Sequence, residues 1–139
     1  MKTVAGPRGQ ATVDAEIHAR LEGAWRLVTI EQPDATGAME PAEVEGLLVF
    51  TRDGHMAVQV RNLEPGHADS AYSRGGYEAS YGTIILDALN GSFVYRVEGA
   101  LVRALVGQDF PRAYSFLDDR LILTSTRDDE TWRVVWRRG

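Results

Sequence analysis

Cysteine is missing from the 139-residue chain. Its absence removes a disulfide framework, a thiolate nucleophile and any Cys-type zinc site, so chemistry must come from oxygen and nitrogen groups. Lysine is nearly missing as well, since Lys2 is the single one and every other basic residue is arginine. Those arginines are scattered, gathering only at Arg137-Arg138, and the net charge is -5 at pH 7. A basic footprint for nucleic acid is therefore lacking. There is no apolar run of membrane-spanning length, and the first ten residues lack the apolar core of a signal peptide. The expectation is a cytoplasmic protein with neither nucleic acid nor membrane as partner. The histidines His18, His55 and His67 have no metal-ligand spacing, and no phosphate-cradling glycine loop, Ser-His-Asp set or paired-carboxylate spacing stands out. Neither a metal nor a cofactor is expected.

What the sequence does have is a period of two. Its length suits one domain able to bury roughly two thirds of its unfolded surface. Residues 1–11 read as a flexible tail and 12–139 as one domain. Thr12 is a suitable N-cap, with Asp14 and Glu16 in the first turn, and Val13, Ile17 and Leu21 recur at helical spacing. This predicts a short helix that Gly23 ends. Strands are predicted over 24–31, 46–51, 55–61, 77–86, 92–97, 111–117, 120–125 and 131–137. Asp53-Gly54, Asn90-Gly91 and Asp118-Asp119 supply the turns. Eight short strands in hairpin order predict an all-β fold, an eight-stranded antiparallel up-and-down barrel whose closure leaves no edge exposed. The segment 62–76 is too long for a hairpin turn and reads as a lid. Residues 98–109 read as an irregular strand or a helical turn at the mouth.

The two ends of the domain share a pattern. In Gly23-Ala24-Trp25-Arg26 and in Trp132-Arg133-Val134-Val135-Trp136-Arg137-Arg138, indole and guanidinium fall on opposite faces of a strand. These strands are expected to be neighbours that close the barrel, with Trp rings at its floor. Together with the stretches 46–56, 77–83 and 121–125, this pattern resembles the small bacterial and fungal lipocalin-like domain family of the calycin superfamily. The resemblance spans 21–138. It implies a barrel with an internal apolar cavity, an arginine of the last strand packed over the first-strand Trp, and ligands or substrates of polyketide type. Where similar proteins carry histidines in the fifth strand, this chain has Val94-Tyr95-Arg96-Val97, so no histidine role transfers.

Taking the more apolar face of each strand as interior places Trp25, Phe50, Met56, Tyr77, Tyr81, Tyr95, Arg112, Tyr114 and Trp132 around that cavity. A one-residue slip would invert any such assignment. Aromatic walls with a few polar tips suit an apolar, partly oxygenated molecule. Tyrosine hydroxyls there can hydrogen-bond a ligand carbonyl or act as a general acid; alternatively backbone or water satisfies them and the rings are filler. His55 shares its face with Ala57, Gln59 and Arg61 and reads as a surface residue. Arg112 alternates with Tyr114 and Phe116, and a buried guanidinium needs a carboxylate, for which Glu78 or Glu98 could serve. It either grips a carboxylate or enolate oxygen of a ligand or stacks on a Trp at the barrel end, as the resemblance suggests for Arg137.

Three functions follow from this reading. The first is a lipocalin-like barrel that binds a small hydrophobic polyketide- or polyene-like metabolite. The second is a cofactor-independent cyclase or isomerase of natural-product biosynthesis, with Tyr77, Tyr81 and Arg112 polarising a carbonyl of an oriented substrate. The third is a packed barrel whose outer wall pairs two copies as a homodimer.

Overall fold

The computed structural model describes residues 7–33, 39–64, 66, 68–128 and 130–139. Among the described residues one α-helix, α1 (Pro7–Leu21), precedes nine strands: β1 (Gly23–Pro33), β2 (Met39–Ala42), β3 (Val44–Phe50), β4 (His55–Asn62), β5 (Tyr77–Asp87), β6 (Ser92–Ala100), β7 (Asp109–Leu117), β8 (Arg120–Ser125) and β9 (Arg133–Arg138). Strands β1 and β3 to β9 pair antiparallel in sequence order, and β9 returns to β1 to close an eight-stranded barrel. The short β2 extends the row of β3 along the far half of β1.

The period-two pattern is the cause of this architecture. In β4, Met56, Val58 and Val60 are buried while His55, Ala57, Gln59 and Arg61 face solvent, so one face packs inward and the other is hydrated. Burying each such apolar side chain contributes about 1.5–3 kcal/mol. At the predicted turns, Gly54 and Gly91 take positive φ, and Asp118 does so as the lone non-glycine among the described residues. A short aspartate tolerates that conformation because its side chain can bond locally.

Helix α1 covers one end of the barrel. It begins at Pro7 rather than Thr12, so residues 7–11 belong to the helix and not to a tail; residues 1–6 lie outside the described part. Proline suits a first helical turn because its missing N–H has no partner there anyway. Leu21 is fully buried and Ile17 packs against the core, which seats the helix over the floor. Gly23, at φ +113°, turns the chain directly into β1, a conformation that a side chain would strain. The hairpin turns at 51–54 and 118–119 and the 3-10 turn Ala88–Asn90 lie at this same end.

The opposite end is the mouth, where the 62–76 segment, the 101–108 segment and the approach to β9 meet. Residues 98–109 resolve into the end of β6, a 3-10 turn at Arg103–Leu105 and a glycine at positive φ, Gly107. Val102 and Leu105 are buried there and plug one side of the mouth.

Candidate ligand cavity

The barrel is packed solid in its lower half. Trp25 is 2% exposed, and its indole N–H donates to the Leu21 carbonyl at 2.8 Å. The Arg138 guanidinium lies over the same ring at 3.9 Å from its centroid and donates to the carbonyls of Glu22, at 2.7 Å, and Arg20. Strand pairing sets Trp25 opposite Arg138. The expected Trp–Arg lid therefore exists, but Arg138 forms it. Arg137 pairs with Arg26, one step out of phase, and points to solvent. Above Trp25, Phe50 meets Phe93 edge to face at 6.0 Å, Phe93 stacks on Tyr114 at 6.4 Å, and Phe116 lies 6.4 Å from Trp25. Trp25, Phe50 and Tyr114 are thus floor packing, and the expectation that they line the cavity is corrected.

The upper half is hollow. A cavity of about 240 Å³ is walled by Ile30, Leu48, Met56, Val58, Val60, Val97, Leu105, Phe110, Leu123 and Val134, with Tyr95, Trp132 and Trp136 supplying rings. Ser70, Ala71 and Tyr72 of the 62–76 segment close over it. That segment is tied down at its base: the Asp69 carboxylate accepts from the amides of Gly75 and Gly76 at 2.9 and 3.0 Å, and Asn62 donates to the Gly76 carbonyl at 2.8 Å. Those two bonds hold the Asp69 carboxyl below its ordinary value. Its stretch 70–72 forms the cover over the cavity; His67 lies outside the described residues.

Of the residues expected at the site, Met56, Tyr95, Arg112 and Trp132 meet at the cavity. Tyr77 and Tyr81 do not. They are 49% and 57% exposed on the outer wall, because β5 presents Glu78, Ser80, Gly82, Ile84 and Leu86 inward. Pairing fixes this phase: Glu78 stands opposite Val60, Ser80 opposite Val58 and Gly82 opposite Met56, all inward residues of β4. Gly82 has no room for a Cβ against the Arg96 backbone, where the β5–β6 register shifts. Tyr81 instead covers Gly99 from outside.

Arg112 is 9% exposed and sits in an aromatic box, 4.7 Å from the Trp132 ring, 5.2 Å from Phe110 and 5.9 Å from Tyr72. Its carboxylate neighbour is neither Glu78 nor Glu98 but Glu130, 3.9 Å from Nη1, while that same nitrogen donates to the Pro111 carbonyl at 3.1 Å. Glu130 is already engaged, accepting from the Ser125 hydroxyl at 2.8 Å and from the Tyr72 hydroxyl. Burial pushes its carboxyl upward, but the two hydroxyl donors and Arg112 outweigh that and leave it below its ordinary value. The Tyr72 hydroxyl is pushed up to about 12, by burial first and then by its bond to Glu130. Tyr95 is likewise pushed up to about 12, chiefly by burial, and donates to the Ser80 hydroxyl at 2.7 Å. Both tyrosines are neutral and poor bases at neutral pH.

Sequence reasoning passed over Tyr72, Ser80, Trp136 and Glu130 as site residues and treated Glu78 only as a partner for Arg112. Glu78 lines the cavity and has no hydrogen-bond or ion-pair partner among the described residues. Burial against the apolar wall raises its carboxyl to about 7, and Arg112 offsets part of that rise. The indole N–H groups of Trp132 and Trp136, and the Thr29 hydroxyl, are buried with no hydrogen-bond partner among the described residues. Among the described residues no three His, Asp or Glu side chains come together as a metal-ligand set. His55 lies on the outer face beside the 51–54 turn, with Nδ1 3.0 Å from the Asp53 carboxylate, whose hydrogen bond raises its pKa.

No curated protein matches the chain. Among solved structures it resembles an uncharacterized protein from Bacteroides eggerthii, with a TM-score of 0.49 and 13% identity over 86% of this chain and 99% of that one. It also resembles the wild-type fluorescent protein UnaG, with a TM-score of 0.44 and 16% identity over 87% of this chain and 98% of that one. Likenesses this distant bear on neither ligand nor chemistry. A sequence family match is more direct, for the lipocalin-like domain aligns with residues 22–139, nearly the whole barrel from the end of α1 to the last residue of the chain. The chain belongs to the lipocalin-like domain family.

Proposed function

We propose that the barrel binds a small apolar, partly oxygenated metabolite in the cavity beneath residues 70–72. The observation that carries this reading is the cavity itself: an apolar chamber whose polar lining has donors without acceptors. Such a lining suits a ligand that presents oxygen acceptors from an otherwise greasy body. By proportion to a 150 Å³ cavity that takes benzene, the volume suits about ten non-hydrogen atoms. That favours a compact ring or short branched chain over an extended polyketide or polyene.

Because Trp132 and Trp136 line the cavity, an occupant should quench their fluorescence. Compact aromatic alcohols, aldehydes and acids titrated against the protein should do so saturably. Val58→Phe, which fills the cavity from β4, should abolish the quenching without lowering the melting temperature by more than a few degrees. Quenching that survives in Val58→Phe would mean that the probe binds elsewhere.

A second reading is favoured by Glu78. A carboxyl that holds its proton near neutral pH inside an apolar chamber can donate it to a substrate carbonyl or alkene, as a cofactor-independent isomerase or cyclase of natural-product biosynthesis requires. In that version Glu78 and Arg112 act, and Tyr77 and Tyr81 do not. Recovery of every bound probe unchanged after prolonged incubation would count against this reading and leave the binding one standing.

A further inference from the structure

We infer that the ligand is a compact organic acid, bound as its anion between Arg112 and Glu78, with Glu78 required in its protonated form so that binding is linked to uptake of one proton. This inference rests on the binding function proposed above and specifies its ligand class.

Among the described residues, four titratable side chains line the chamber: Tyr72 from the 62–76 segment, Glu78 from β5, Tyr95 from β6 and Arg112 from β7. Glu130 stands behind Arg112, while β1, β3, β4, β8 and β9 present only apolar or indole side chains to the space. Both tyrosine hydroxyls are already spent, one on Glu130 and the other on Ser80. Glu130 carries two hydroxyl donors and compensates Arg112 only at 3.9 Å. The guanidinium keeps donor capacity: among the described residues one of its five N–H groups is placed on the Pro111 carbonyl, Glu130 stands at 3.9 Å, and the Tyr72 hydroxyl is its remaining polar neighbour. Against these donors, among the described side chains that line the chamber, the Glu78 carboxyl is the acceptor without a hydrogen-bond partner.

A charge count then selects the ligand. With Glu78 neutral, Arg112 and Glu130 cancel, and an incoming anion gains the Arg112 field while Glu78 donates its proton in a charge-assisted hydrogen bond. With Glu78 ionised, the same anion meets a like charge in a desolvated chamber and is disfavoured. A cationic ligand would satisfy an ionised Glu78, but it would share the space with the cation of Arg112. A neutral ligand could accept from both groups without using the charge of either. Burial of Glu78 against apolar β4 residues already disposes it to hold a proton near neutrality.

Three probes with one body and different heads separate these cases: cinnamate, methyl cinnamate and cinnamylamine, each titrated by calorimetry. Cinnamate should bind tightest at neutral pH. Its Kd should weaken by roughly a hundredfold between about pH 6 and about pH 9, the span across which Glu78 loses its proton. Binding near pH 8 should take up close to one proton, read from the dependence of the heat on buffer ionisation enthalpy. Glu78→Gln keeps a neutral donor of the same shape. It should bind cinnamate as tightly at pH 9 as at pH 6 and take up no proton. Tighter binding of the amine or the ester, or a pH dependence that persists in Glu78→Gln, would overturn the inference while leaving a ligand-binding barrel intact. If none of the three probes binds at millimolar concentration, the binding function falls with it.

Discussion

At the scale of single residues, Trp25 shows how one side chain can be indispensable to the barrel without lining its cavity. Its ring is sealed by Arg138 above, Phe116 beside it and the Leu21 carbonyl on its N–H, so helix, first strand and last strand converge on it. Trp25→Ala should destabilise the fold by about 3–5 kcal/mol, the cost of an unfilled cavity at a fully packed ring, read as a shift in the urea midpoint. Ligand affinity should stay within about twofold of the parent, because the cavity begins above Phe50 and Phe93 and direct contact is absent. A stable Trp25→Ala protein that fails to bind would place the floor within the site. Arg112 is the opposite case. Its aromatic box and its bond to the Pro111 carbonyl hold it in place without using up its donors, which leaves it able to serve the proposed anion.

At the scale of elements, β5 decides which tyrosines can meet a ligand. Tyr77→Phe and Tyr81→Phe should leave cinnamate affinity unchanged, since both hydroxyls are on the outer wall; loss of binding in either variant would mean that β5 sits one residue out of phase. The reason the sequence misleads here is physical. In residues 77–82 the apolar side chains alternate with Glu78, Ser80 and Gly82, and the polar set looks like a solvated face. Glu78 and Ser80 instead line the chamber, and Gly82 is dictated by the close Arg96 backbone. Parity with Ile84, 8% exposed, and with Leu86 carries the correct signal farther along the same strand. Elsewhere the inward side chains are mostly apolar and the pattern reads directly: β3, β4, β6, β7 and β9 turn the expected faces inward, and the hairpins turn at Asp53-Gly54 and Asp118-Asp119 as their positive-φ residues suggest. Tyr72 and Glu130 could not be read in this way. They lie in irregular segments, where no periodicity says which way a side chain points, and only the closed barrel brings them together across 58 positions of sequence.

At the scale of the whole molecule, the carboxyl groups pull stability in two directions with pH. Asp53, Asp69, Asp109 and Glu130 sit below their ordinary values in the folded state. Each such group supports the fold above its unfolded pKa and loses that support as pH falls through its folded value, so they act below about pH 4.5. Glu78 does the reverse, with a folded value of about 7 against an ordinary 4.5. Across that interval the folded chain keeps a proton that the unfolded chain has released. Stability therefore declines as pH rises through it, and the full penalty stands above pH 7. The two trends place the most stable region of the empty barrel near about pH 5, on the acid side of neutrality. Glu78→Gln removes only the second trend. Its urea midpoint should match the parent at about pH 4.5, exceed it increasingly up to about pH 7 and stay above it by a constant margin beyond. A constant offset at every pH would mean that the Glu78 carboxyl titrates as an ordinary glutamate. A ligand anion that requires the protonated form should widen the difference between the two proteins as pH rises past 7, because the parent must take up a proton to bind and Glu78→Gln need not.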